Sequence, residues 1–87
     1  MKHHIEVTPK ARKQLLKLDN LIYQQIIKYI AGLADLEDPR TRGKQLTGDL
    51  AGLWRYRMGD YRILCKLLDD ALIILVVDIE HRKEVYR

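Results

Sequence analysis

Residues 53–64 read LWRYRMGDYRIL, and the fold follows from how this stretch is parsed. Leu53 to Met58 alternates apolar or aromatic side chains with Arg55 and Arg57, and a second alternating run, Tyr61 to Leu68, follows Gly59-Asp60. Period-two alternation marks a half-buried strand, and a Gly-Asp pair between two such runs marks a tight hairpin turn. Successive side chains of a strand point to opposite faces. With Trp54, Tyr56 and Met58 turned to a core, Arg55 and Arg57 point away from it. In the second strand Tyr61, Ile63, Cys65 and Leu67 form the core-facing set, and Arg62, Leu64 and Lys66 form the other. Arg55, Arg57, Arg62 and Lys66 are therefore expected on one shared face of a sheet.

Downstream, Asp69-Asp70 reads as another turn, and Ala71 to Ile79 (ALIILVVDI) is almost continuously apolar and β-branched, the pattern of an interior strand buried on both faces. The tail EHRKEVYR adds a short final strand or a bend. Upstream, HHIEV (3–7) reads as a first strand. Thr8 then caps a helix whose first turn accommodates Pro9, and Ala11, Leu15 and Leu18 form its core stripe. Asp19 caps a second helix running to about Leu36, with Ile22, Ile26, Tyr29, Ile30 and Leu33 at helical spacing. So short a link makes the pair an antiparallel αα-hairpin. EDPRTRG (37–43) ends the second helix as a loop, and 48–52 forms another. The expected fold class is α+β: strand, helix, helix, then three or four strands. The αα-hairpin packs on one face of a mainly antiparallel sheet, in a single domain spanning 1–87.

Composition narrows the chemistry. The 87 residues are 47% hydrophobic and 32% charged, as in a globular domain, and no apolar run reaches a membrane span. The start lacks the apolar core of a signal peptide, so the expected location is cytoplasmic, with no membrane partner. The chain has no serine, which removes a serine nucleophile. Cys65 cannot form an internal disulfide and sits in an apolar run as a buried thiol. His3, His4 and His81 lack the carboxylate spacing of a standard metal site, and GKQLTG (43–48) is not a phosphate loop, so no metal or cofactor is expected. The net charge of +4 is unevenly spread. Arg40, Arg42, Lys44, Arg55, Arg57, Arg62 and Lys66 fall in one stretch against only Asp49 and Asp60. Lys10, Lys13 and Lys17 add a basic face to the first helix. Such concentration points to a polyanionic partner, nucleic acid first.

Gathered guanidinium groups repel one another unless an anion lies between them, and arginine presents a planar fork of donors to phosphate oxygens. Arg82 follows the apolar strand directly, beside His81, and Tyr86 comes four residues later. If the last strand pairs with the one starting at Tyr61, Arg82 and Tyr86 join the hairpin arginines. These residue types suit RNA cleavage by the 2′-hydroxyl without a metal. Fixed cations meet the charge that develops on phosphorus, and a base takes the hydroxyl proton. Tyr86, its phenolate stabilised by nearby cations, or His81 is the candidate base. The same cations suit a non-catalytic RNA- or ribosome-binding module, with Lys10, Lys13, Lys17, Arg40, Arg42, Lys44 and Lys66 as further RNA or ribosome contacts.

The opening strand with Thr8-Pro9-Lys10-Ala11, the αα-hairpin, Lys44-Gln45-Leu46 before Gly48, LWRYRMGDYRIL and the closing HRKEVYR together resemble the RelE/ParE superfamily of bacterial toxin–antitoxin toxins, over essentially the whole chain. The closing motif is more similar to the RelE branch. The resemblance implies a ribosome-dependent endoribonuclease that cuts mRNA in the A site and is held inactive by a cognate RelB-like antitoxin. It implies functional positions at Arg55, Arg57, Arg62, Arg82 and Tyr86. The best-known RelE carries lysines where Arg55 and Arg57 stand, so phosphate stabilisation, rather than proton transfer, is what carries over to these two. A ParE-like poison of DNA gyrase, acting by protein contact, is the alternative within the same superfamily.

Overall fold

The computed structural model describes residues 3–82. In chain order these form β1 (His4–Val7), α1 (Pro9–Leu16), α2 (Asn20–Ala34), β2 (Lys44–Gln45), β3 (Trp54–Met58), β4 (Tyr61–Leu68) and β5 (Ile73–His81). Three single 3-10 turns, Pro39–Arg42, Gly48–Leu50 and Asp69–Ala71, occupy the loops. The strands make one sheet in the order β1-β5-β4-β3-β2. β1 runs parallel to β5 and every other pairing is antiparallel. The α+β architecture matches the sequence expectation, and with the two-residue β2 counted, four strands follow the helices among the described residues. No helix among the described residues is long and apolar enough to cross a membrane.

The local signals act as their chemistry dictates, with two exceptions. Thr8 Oγ1 accepts the backbone N–H of Ala11 at 3.2 Å, and Pro9 opens α1. Gly59 has φ 59°, the left-handed first position that a two-residue hairpin of type II′ requires. Asp19 stands at the N-cap of α2 but makes no capping side-chain bond, and α2 ends at Ala34, two residues before Leu36. Asp38 turns the chain there by accepting the N–H of Arg40 at 3.1 Å, ahead of the Pro39 turn.

Both helices cover one face of the sheet. Ala11 and Leu15 of α1 and Ile26, Ile30 and Leu33 of α2 meet Tyr56, Ile63, Cys65, Ile74, Val76 and Ile79, with Trp54, Met58, Tyr61 and Leu67 packed around them. The hairpin faces therefore fall as its alternation predicts. β5 departs from expectation. Only its helix-side residues Ile74, Val76 and Ile79 are buried, while Ile73, Leu75 and Val77 are half-buried, because no helix lies over the second face. Its alternation also breaks. Cys65 pairs with Val76 and Leu64 with Asp78, so Val77 is an extra, bulged residue. Continued alternation from Ile74 and Val76 would bury Asp78 and Glu80. The bulge instead turns Ile79 into the core and puts both carboxylates on the open face.

Tyr56 ties the core to the loop before β2. It is fully buried, and its hydroxyl donates to the Pro39 carbonyl at 2.9 Å. Gly43 lies flat against its ring: a Cβ there would stand 2.8 Å from Tyr56 Cε1 and 2.9 Å from Cζ. The backbone at Gly43 is extended (φ −107°), so space rather than conformation demands glycine. Gly43→Ala is expected to destabilise the domain by about 1–3 kcal/mol, the usual range for overpacking, read as a lowered midpoint in urea. Burial pushes the Cys65 thiol up to about 12. A maleimide reagent at neutral pH should therefore label Cys65 only after denaturation; rapid labelling of the folded protein would contradict this packing.

Candidate functional site

The face away from the helices carries the charges in two cross-strand rows. In one, Arg57 of β3 pairs with Arg62 of β4, which pairs with Glu80 of β5. In the next, Lys44 pairs with Arg55, Arg55 with Leu64, and Leu64 with Asp78. Directly opposed like charges are unfavourable in a sheet, so Arg57–Arg62 and Lys44–Arg55 place cations where an anion between them is most stabilising.

The hairpin end of the first row opens into a hollow lined by Arg57, Gly59, Asp60, Tyr61, Arg62 and Arg82. Arg82 is held there by its backbone, whose N–H donates to the Asp60 carbonyl at 2.7 Å. Arg57 is exposed, whereas the Arg62 side chain is only 20% exposed and its Nη1 stands 3.9 Å from Glu80 Oε1. Arg55 is half-buried one row away, with its Nε enclosed and without a hydrogen bond among the described residues. Lys66 is exposed beside Leu75, farther along β4, and stands outside the hollow.

The remaining basic residues are dispersed. Lys10 is 68% exposed and reaches Asp78 at 3.4 Å. Lys13 and Lys17 are exposed on α1 and its C-cap, and Arg42 is exposed in the Pro39–Arg42 turn. Lys44 is exposed on the outer strand β2. Arg40 is engaged elsewhere. Its Nη2 bridges both Asp69 oxygens at 2.8 and 2.6 Å, its Nη1 stands 3.4 Å from Asp38, and the group lies 5.6 Å from the Trp54 ring centroid. The Asp69 hydrogen bond raises the Arg40 pKa, and two carboxylates already meet its charge. Arg40 thus clasps two loops together and has little left to offer a phosphate.

His81 falls on the opposite side from the arginines. It pairs with Tyr61, and the two rings meet edge to face with centroids 4.7 Å apart. Both line a cleft of about 360 Å³ with Gln14, Lys17, Leu18 and Ile79. Tyr86 lies outside the described residues.

Two residues on the arginine face escaped the sequence reading. Asp78 accepts a hydrogen bond from Gln14 Nε2 at 2.7 Å in addition to facing Lys10. The other oxygen of that side chain, Gln14 Oε1, accepts the Ile79 N–H at 2.9 Å, where β1 has ended and α1 lies along β5 instead. Glu80 lies next to Asp78. Burial and a hydrogen bond with Asp78 push its carboxyl above the ordinary 4.5, opposed by Arg62 and Lys10. The available signal was Ile79 standing between two acids at the end of an apolar run.

Comparison with known proteins agrees with this architecture. The family model described as ParE toxin of type II toxin-antitoxin system, parDE, matches residues 5–86. Toxin RelG of Mycobacterium tuberculosis is 32% identical across 100% of this chain and 99% of its own length. Toxin RelE of the same organism is 31% identical across 98% of this chain and 87% of its own. Among solved structures, the toxin–antitoxin complex RelBE2 from M. tuberculosis contains a chain that matches with TM-score 0.85 at 28% identity, covering 94% of this chain and 100% of that one. The archaeal RelE–RelB complex from Pyrococcus horikoshii OT3 shares the fold, with TM-score 0.73 at 24% identity over 94% of this chain and 97% of that one. Matched by the family model over residues 5–86 and by a curated toxin at 32% identity across the full chain, the chain belongs to the RelE/ParE family of toxins from type II toxin–antitoxin systems.

Proposed function

We propose that this toxin is a ribosome-dependent endoribonuclease that cuts mRNA in the A site by attack of a 2′-hydroxyl on the adjacent phosphate. The observation that carries the reading is the Arg57–Arg62 pair with Arg82 in one hollow. The attacked phosphate gains negative charge in the transition state, and cations already fixed in place stabilise it without reorganisation. Arg57 and Arg82 supply donors from the rim. Arg62, the most enclosed of the three, supplies them from the floor. Arg55 adds charge from the neighbouring row, and Tyr86 is the tail residue that the family resemblance adds to the site. Lys13, Lys17, Arg42, Lys44 and Lys66 are exposed cations suited to ribosomal RNA.

Purified protein incubated with programmed ribosomes should cut the A-site codon, mapped by primer extension. Intact mRNA combined with inhibited gyrase supercoiling would transfer the protein to the gyrase-poison reading, and ribosome binding without any cut would leave a binding module. Arg62→Ala removes one fixed donor from outside the core. It should remain folded and lose about 10²–10³ in single-turnover rate. Wild-type-like cleavage by the folded variant would count against the hollow as the site.

The RelBE2 and archaeal RelE–RelB assemblies are toxin–antitoxin complexes, which supports a cognate antitoxin for this chain. A groove lined by Val7, Arg12, Leu15, Leu16, Tyr23 and Ile27 offers it an apolar surface, with Leu16 70% and nearby Leu21 60% exposed. Leu16→Glu is expected to weaken antitoxin binding at least about tenfold, the effect of a charge forced into an apolar contact, while leaving cleavage by the free toxin intact. Isothermal titration with the purified antitoxin measures the first, and the ribosome assay the second. Complex formation with the wild type should weaken ribosome binding, because a segment folding onto so small a domain covers or displaces part of the cationic site. A complex that cleaves at the free toxin's rate would contradict this.

A further inference from the structure

We propose that Glu80 is the catalytic base of this toxin, taking the proton of the attacking 2′-hydroxyl while Arg62 beside it holds the phosphate. The inference rests on the ribonuclease reading above. Glu80 is the third member of the Arg57–Arg62–Glu80 row, on the face that bears the hollow, and its Oε1 lies 3.9 Å from Arg62 Nη1. A phosphodiester seated on the Arg62 guanidinium would lie within a few ångströms of this carboxylate. His81, by contrast, faces the helix-side cleft with Tyr61.

The surroundings of Glu80 distinguish it from an ordinary surface acid. Its side chain is 29% exposed. The charged groups facing it are Arg62 from β4, Lys10 from α1 and Asp78 two residues earlier on its own strand. Asp78 is held from α1 by Gln14 Nε2 at 2.7 Å and Lys10 Nζ at 3.4 Å. A carboxylate is harder to ionise when it is partly withdrawn from water and when a second carboxylate lies against it. Glu80 meets both conditions. Its carboxyl is raised accordingly, first by burial and then by Asp78. A base works best when its pKa approaches the working pH, so this shift runs in the useful direction.

The step balances as follows. The 2′-O–H proton passes to the Glu80 carboxylate as the 2′-oxygen forms its bond to phosphorus. The bond from phosphorus to the 5′-oxygen breaks, and that oxygen takes a proton from water. The hydroxide so formed takes the proton from Glu80 and restores the carboxylate. The products are a 2′,3′-cyclic phosphate and a 5′-hydroxyl end.

Single-turnover cleavage on programmed ribosomes, followed from mildly acidic to mildly alkaline pH, tests the assignment. A base acts in its deprotonated form. The wild-type rate should therefore rise with pH through an inflection above the ordinary carboxylate value of 4.5 and then level off. Glu80→Gln should be at least about tenfold slower on the plateau, inside the 10²–10⁴ typical of a lost base, and should lack that inflection. Its affinity for ribosomes carrying a 2′-deoxy A-site codon should match the wild type, which a merely structural role would not preserve. Glu80→Asp keeps a carboxylate one methylene shorter. It should retain the inflection at a reduced rate, and it decides the matter if Glu80→Gln does not fold. Wild-type rate or an unchanged inflection in Glu80→Gln, or loss of the inflection in a folded Glu80→Asp, overturns the role of Glu80 alone. Absence of cleavage by the wild type overturns the ribonuclease reading along with it.

Discussion

One extra residue in β5 sets the chemistry of both faces of the sheet. Val77 has no partner in β4, so the strand changes parity between Val76 and Asp78. Before the bulge, Ile74 and Val76 point to the helices; after it, Ile79 does, and Asp78 and Glu80 emerge among the arginines. Without the bulge the same sequence would bury two carboxylates under α1, at several kcal/mol for each charge left unpaired, on the order of the effective desolvation penalty of a buried ion. Thr8 fastens this point. Its N–H donates to the Val76 carbonyl at 3.0 Å, its hydroxyl donates to the Val77 carbonyl at 3.4 Å, and the same oxygen caps α1. The start of the first helix and the parity of the last strand are thus locked by one side chain.

The consequence is a face with a charge gradient rather than a uniformly basic one. Cations occupy β2, β3 and the hairpin side of β4, and the rows end in acids on β5. Asp78 is tied back to α1 through Gln14 and Lys10, and Glu80 is hydrogen-bonded to Asp78 while facing Arg62. Arg57 and Arg62 remain opposed at the open end, where a phosphate can enter between them. The groups sit on paired strands rather than on long loops, which keeps their spacing fixed before any ligand arrives.

Much of this was legible in the sequence because the hairpin obeys strict alternation. Trp54, Tyr56 and Met58 against Arg55 and Arg57, and Ile63 and Cys65 against Arg62, separate cleanly by period two, and the two helices show their apolar stripes at helical spacing. Arg82 reached the hollow because β5 pairs with β4, the condition on which its placement depended. What failed to show is what alternation cannot encode. An unbroken run such as IILVV carries no phase, so the bulge within it left no mark, and with it went the sidedness of Asp78, Glu80 and His81. Arg40 read as a free cation because its partner Asp69 is 29 residues away, and only the tertiary fold brings them together. Two residues of β2 are too few for any pattern. The resemblance in the closing motif extended the candidate site to Tyr86, beyond the described residues.

The central claim is that the scissile phosphate lies in the hollow of Arg57, Arg62 and Arg82, on the sheet face turned away from the helices. A cryo-electron microscopy structure of the toxin on a ribosome whose A-site codon carries a 2′-deoxy nucleotide at the cut position tests it directly. The account predicts the phosphate within hydrogen-bonding distance of the Arg62 guanidinium, with Arg57 and Arg82 around it and the adjoining sugar turned toward β5. An mRNA strand running instead past Lys13 and Lys17 on the helix side, with no phosphate against Arg62, would contradict it.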